Sequence, residues 1–156
     1  FPAVLFPAAE IGDDTPLDLY FSYSPDQVYE YLDGLGANGR SAYLGMELTT
    51  DLLFPVVYAL ALTVALTISA RRLVVPDSRL QYLRFFPVLI VIADWCENLG
   101  LAAVIRAFPG RLDRVSAAAS LATSIKWTLL VLVIMMLVIA GVLVITKYFR
   151  GDSARR

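Results

Sequence analysis

Asp94, Glu97 and Asn98 stand in the middle of an apolar run, Phe85 to Pro109, that is long enough to cross a bilayer as a helix. An ionised side chain at the centre of a membrane costs roughly 2.5–3.5 kcal/mol on insertion scales, so such residues face other helices, water or a partner. Their spacing places Asp94, Glu97, Asn98 and Leu101 on one helix face. Two like charges one turn apart in a low dielectric repel strongly unless a cation lies close. Lys126, early in the next apolar run (SLATSIKWTLLVLV), is the candidate cation, and Asp51 opens a third apolar run at a similar depth. Asp51, Asp94, Glu97, Asn98 and Lys126 are therefore expected to form one intramembrane polar cluster joining three helices, with Asp94 near the midplane. Arg106, a second cation in the same run, is expected to snorkel to the headgroups.

Three kinds of chemistry suit such a cluster. It can fix helix register as a buried ion-pair and amide network. It can bind a proton, an ion or a small polar ligand, or do acid–base work on a lipid-like substrate. It can also be one half of a site that another protein completes. The chain has no histidine, which removes His-ligated haem, His-based zinc or copper sites and every Ser-His-Asp or Cys-His nucleophile pair. Cys96 is the single cysteine and reads as a small hydrophobe inside a span. Asp13, Asp14 and Asp18 lack the spacing of a calcium loop. No cofactor and no metal site is implied, and no basic patch suits nucleic acid.

The elements that must position the cluster follow from composition. The 156 residues are 58% hydrophobic and 17% charged, with a mean hydropathy of +0.68; soluble domains are nearer half apolar and a quarter charged. Spans are predicted at 51–70, 85–107 and 116–147, the first two near the roughly 20 apolar residues that a crossing needs and the third longer. The opening FPAVLFPAA (1–9) reads as the end of a first span or the residue of a signal sequence, the span being preferred. The fold class is thus an all-α integral membrane protein, a four-helix transmembrane bundle with its first helix truncated.

Arginines 71, 72, 79 and 84 in the connection 71–84, and Lys147, Arg150, Arg155 and Arg156 around the tail 148–156, place both regions and both termini in the cytoplasm by the positive-inside rule. Residues 10–50 and the loop 108–115 are then external. Within 10–50, Ser24-Pro25-Asp26-Gln27 is a capping-box helix start, and Val28, Tyr31, Leu32 and Leu35 continue at helical spacing, which predicts an amphipathic helix over about 25–35. Gly34 or Gly36 ends it, Ala37-Asn38-Gly39 makes a turn, and one helix runs from Arg40 into the span. Tyr20, Tyr23, Tyr29, Tyr31 and Tyr43 fall where an aromatic belt is expected. Pro55 cannot donate to the carbonyl of Asp51, four residues earlier, which leaves a kink or a free carbonyl. Ser116, Ser120 and Ser124 repeat at the spacing of close helix packing.

Two functions fit this pattern. One is a non-catalytic structural or accessory subunit of a membrane assembly, partnered by the bilayer and by other membrane proteins or a second copy. The other is a small transporter or membrane-embedded enzyme with an Asp/Glu/Asn/Lys pocket. A multi-pass location in a plasma or inner membrane is expected for both.

Overall fold

A computed structural model describes residues 15–73 and 79–153, and every regular element among them is helical. The expected first span (1–9) and residues 74–78 of the connection 71–84 lie outside the described residues. Three helices are long and apolar enough to cross a membrane, within Gly36–Leu73, Tyr82–Ala107 and Asp113–Arg150.

The chain enters through a single 3₁₀ turn, Leu17–Leu19, and reaches α1, Pro25–Gly34. Ser24 caps α1 reciprocally with Gln27: the Gln27 amide donates to Ser24 Oγ, and the Ser24 amide donates to Gln27 Oε1. Gly36, at φ +64°, makes the break that follows, a conformation glycine adopts without steric cost. The turn expected at Ala37-Asn38-Gly39 is instead the start of α2, Gly36–Glu47. The long helix expected from Arg40 is likewise divided, because the backbone loosens at Leu48–Thr49 before α3, Thr50–Leu73.

A second 3₁₀ segment, Arg79–Phe85, precedes α4, Pro87–Ala107. Pro87 has no N–H to donate back to Leu83, so an α-helical ladder cannot pass through it. The Phe86 amide donates to the Leu83 carbonyl and the Leu89 amide to that of Phe86, the tighter i→i+3 pattern. The span expected to start at residue 85 therefore starts as a different helix type. Last comes α5, Asp113–Ser153, at 41 residues about 60 Å long.

Helices α3, α4 and α5 pack against one another as an antiparallel up-and-down set, with α1 and α2 capping one end. The closest approach is at Gly100, where an added Cβ would stand 3.0 Å from Ala119 Cβ. The cap has its own apolar core of Val28, Tyr29, Leu32, Tyr43 and Met46, which continues into Leu101, Val104, Ile105 and Ala119. Tyr23, Tyr29 and Tyr43 are thus buried rather than arranged as a belt, and of the five tyrosines only Tyr20 is exposed.

At the opposite end Lys147 Nζ donates to the carbonyl of Arg72 at 3.2 Å, so the basic ends of α3 and α5 lie side by side. The intervals 51–72 and 126–147 each contain 21 residues of helical rise, about 31 Å, close to the ~30 Å of a hydrocarbon core. Asp51 and Lys126 thus stand about one hydrocarbon thickness from Arg72 and Lys147, and Asp94, paired with Lys126, lies beside them. The upper half of α4 then meets the cap.

Candidate functional site

Lys126 is the hub of the cluster. Its Nζ lies 2.5 Å from Glu97 Oε2 and 3.4 Å from Asp94 Oδ1, and it reaches the backbone carbonyl of Asp18 at 3.5 Å. Glu97 is fully buried, Lys126 and Asp94 each 7% exposed. The remaining oxygens of both acids also have partners. Thr123 Oγ1 donates to Glu97 Oε1 at 2.7 Å, and Tyr58 OH donates to Asp94 Oδ2 at 2.8 Å. One cation thus serves two carboxylates, and each carboxylate has a hydroxyl on its other side. Such pairing is what the burial of these charges requires, because each alone would carry a large desolvation cost.

Asn98 and Asp51 meet through the backbone. Asn98 Nδ2 donates to the Asp51 carbonyl at 2.6 Å. This is the acceptor that Pro55, buried in α3, cannot serve. Trp95 Nε1 likewise donates to the Leu52 carbonyl at 2.9 Å. The acceptor that Pro55 leaves free is therefore taken up by Asn98, the Leu52 carbonyl gains a second donor from Trp95, and both bonds fix the register of α3 and α4. The side chain of Asp51 does not join the ion pairs; its Oδ2 is buried without a hydrogen-bond partner among the described residues. All five expected cluster residues lie in one region, in two linked groups: Asp94, Lys126 and Glu97 by ion pairs, and Asn98 with Asp51 through the backbone carbonyl, the Asp51 carboxylate standing outside both.

Asp51 also lines a cavity of about 610 Å³ between α3 and α5. Asp18, Asp51, Asp94 and Lys126 line one end. Phe54, Pro55, Tyr58, Ala61, Leu62 and Ala65 form the α3 wall, and Trp127, Leu130 and Ile134 the α5 wall. Alanines at 61 and 65, one turn apart, leave the width. Asp18 arrives from outside the bundle: Trp127 Nε1 donates to its carbonyl at 3.1 Å, the Tyr23 amide donates to Ser120 Oγ at 2.8 Å, and Ser124 Oγ donates to the Phe21 carbonyl at 2.9 Å. Ser120 and Ser124 thus bind the strap 17–23 to α5, while helix packing falls to Gly100 and Ala119. Burial pushes the Asp18 carboxyl above its ordinary value of 3.8, against the pull of Lys126.

The sequence reading missed Asp18, Tyr58 and Thr123. Thr123 stands one turn before Lys126 and Tyr58 two turns after Asp51, so helical spacing alone could have found both. Nothing local marks Asp18, which docks from a single 3₁₀ turn in the strap. Glu47, fully buried four residues before Asp51, was also not singled out for the site. Cys96 is exposed on the outer side of α4, not buried as expected, and so is Arg106. Among the described residues no three carboxylates or cysteines converge as metal ligands do. Compared with family models, curated proteins and solved structures, the chain matches none.

Proposed function

We propose that this is a non-catalytic multi-pass membrane protein that holds an amphipathic small molecule in the cavity between α3 and α5. The segregation of the cavity carries this reading: ionisable side chains line one end, apolar side chains the rest. Its volume falls within the few hundred to a thousand Å³ typical of small-molecule sites. A bulk ion or a small hydrophilic solute would leave the Leu62, Leu130 and Ile134 walls against water. A chain with a polar head matches both ends. The head region sits at one edge of the apolar layer, which lets such a molecule enter sideways from one leaflet. The positive-inside rule assigns the Arg71, Arg72, Lys147 and Arg150 end to the cytoplasm, so that leaflet is the outer one of a plasma or inner membrane.

Native mass spectrometry of the protein extracted in lipid nanodiscs tests this. The wild type should carry a retained amphiphile, and Ala61→Phe, which fills the cavity, should lose it while keeping its size-exclusion profile. A wild type with no adduct and no saturable uptake of any amphiphile contradicts the proposal.

A second reading, an accessory subunit of a larger assembly, is favoured by the lower half of α5, where Val138, Ile139, Val142, Leu143 and Ile145 are each at least 50% exposed. Lipid alone satisfies that surface equally well. Isolation from native membranes as a lone chain would count against the subunit reading and leave the cavity reading intact.

A further inference from the structure

We propose that the cavity selects an amphiphile with a protonated amine head, which binds between the carboxylates of Asp51 and Asp18. This rests on the cavity reading above and adds the chemical class of the ligand.

Five carboxylates collect around the head of the cavity: Asp18, Asp51 and Asp94 line it, Glu97 stands behind Lys126, and Glu47 is fully buried just before Asp51. The described residues bring one cation to them, Lys126, and Glu97 and Asp94 already share it. Tyr58 and Thr123 complete those two acids. Asp51 and Asp18 line the same end of the cavity, and one oxygen of each, Asp51 Oδ2 and Asp18 Oδ1, is buried with no hydrogen-bond partner among the described residues. A buried acceptor without a partner is costly, and more so when it carries charge. The missing species is therefore a cation with several hydrogens to donate.

A protonated amine brings up to three such donors on one charge. The acids do not converge as metal ligands among the described residues, so the geometry favours a donor that reaches two separated oxygens over an ion that needs a coordination shell. The rings of Phe54, Tyr58 and Trp127 line the same end and suit a cation by their faces. Below them the groove runs past Ala61, Leu62 and Ala65 on α3 and Leu130 and Ile134 on α5. From Lys126 to Ile134 it follows α5 for about 12 Å, room for a medium-length hydrocarbon chain. An anionic head would bring a further negative charge to this end and leave both free acceptors unmet.

The test compares three probes with one tail: dodecylamine, dodecanol and dodecanoate. Each is titrated into nanodiscs holding the wild type, followed by Trp127 fluorescence, and corrected against protein-free nanodiscs for partition into lipid. Dodecylamine should bind saturably at least about tenfold more tightly than dodecanol, the gain of a charge-assisted hydrogen bond. Dodecanoate should bind worst. Asp51→Asn should remove the preference for the amine over the alcohol. Equal binding of amine and alcohol, or tighter binding of dodecanoate, overturns the amine assignment and leaves the cavity reading standing. No saturable binding of any of the three overturns both, as would a neighbouring helix seated in the groove. The wild-type comparison decides the matter even if Asp51→Asn fails to fold.

Discussion

The side-chain amide of Asn98 donates to the backbone carbonyl of Asp51 at 2.6 Å, the acceptor left open because Pro55 has no N–H. The two residues lie on different helices, and the proline on α3 creates the need that the asparagine on α4 meets. A helix interruption usually weakens a span; here the interruption supplies the bond that aligns α3 with α4.

This relation predicts a specific coupling. Asn98→Ala should destabilise the protein by roughly 1 kcal/mol, the scale of hydrogen bonds inside membranes. In a Pro55→Ala background the backbone N–H restored at position 55 can donate to the Asp51 carbonyl, and the same substitution should cost clearly less. Unfolding in a detergent series, with all four proteins compared, measures the coupling; equal costs in both backgrounds would deny it.

Glycine positions separate packing from propensity. Gly100→Val should lower stability by about 1–3 kcal/mol, the usual cost of overpacking, because Cβ alone would already meet Ala119 at 3.0 Å. Gly45, exposed on α2 with nothing within 4 Å of an added Cβ, should accept alanine with a gain of up to about 1 kcal/mol from helix propensity. Thermal midpoints in one detergent check both signs.

The strap 17–23 should respond to pH through Asp18. Burial raises its carboxyl above the ordinary 3.8, so the docked strap holds the proton more tightly than the undocked one. Its docking is then fully stabilised below about that ordinary value and weakens as pH rises through the raised value. Amide exchange of residues 19–23, corrected for intrinsic rates, should show protection falling over that window. Asp18→Asn should flatten the profile and leave the strap better protected at neutral pH. A profile unchanged by the substitution would show that another group governs the strap.

Two arginines near the cap should differ in weight. Arg40 donates to the Leu32 carbonyl at 2.7 Å and stacks on Phe108 at 4.2 Å, joining the end of α1 to the end of α4. Its replacement by alanine should cost about 1.5–3 kcal/mol, as for a hydrogen bond from a charged group. Arg111 pairs with Asp26 and Asp113 in the open, where water and salt screen such pairs. Arg111→Ala should change stability little, and that little should vanish at high salt. Chemical unfolding of both variants at two salt concentrations ranks them.

Much of this was legible in the sequence because the physics was local. Apolar runs give spans, and a three- and four-residue spacing gives the face shared by Asp94, Glu97 and Asn98. The capping box at Ser24 and the open carbonyl before Pro55 follow from single residues. The depth of the cluster was legible only in part. Counting back from Lys147 already puts Lys126, and Asp51 with it, toward one end of their runs, whereas the run 85–109 alone puts Asp94 near the middle, and only the pairing of α4 with α5 brings Asp94 to the level of Lys126. The cavity was invisible for a related reason. It is a space between two helices, widened by Ala61 and Ala65, and closed by a strap whose docking no periodicity encodes.

All of these arrangements converge on the pair Glu97–Lys126, buried and 2.5 Å apart at the meeting of α4 and α5. The most direct measurement is a double-mutant cycle on it, with Glu97→Gln, Lys126→Met and the two combined, read by unfolding in the same detergent. Lys126→Met should destabilise by about 3–5 kcal/mol, the cost of stranding a buried charge, and the combined variant should recover part of that loss, because Asp94 still lacks its cation. Single costs that simply add in the combined variant would mean that the two charges do not answer each other, and the account built on Lys126 as the hub would be wrong.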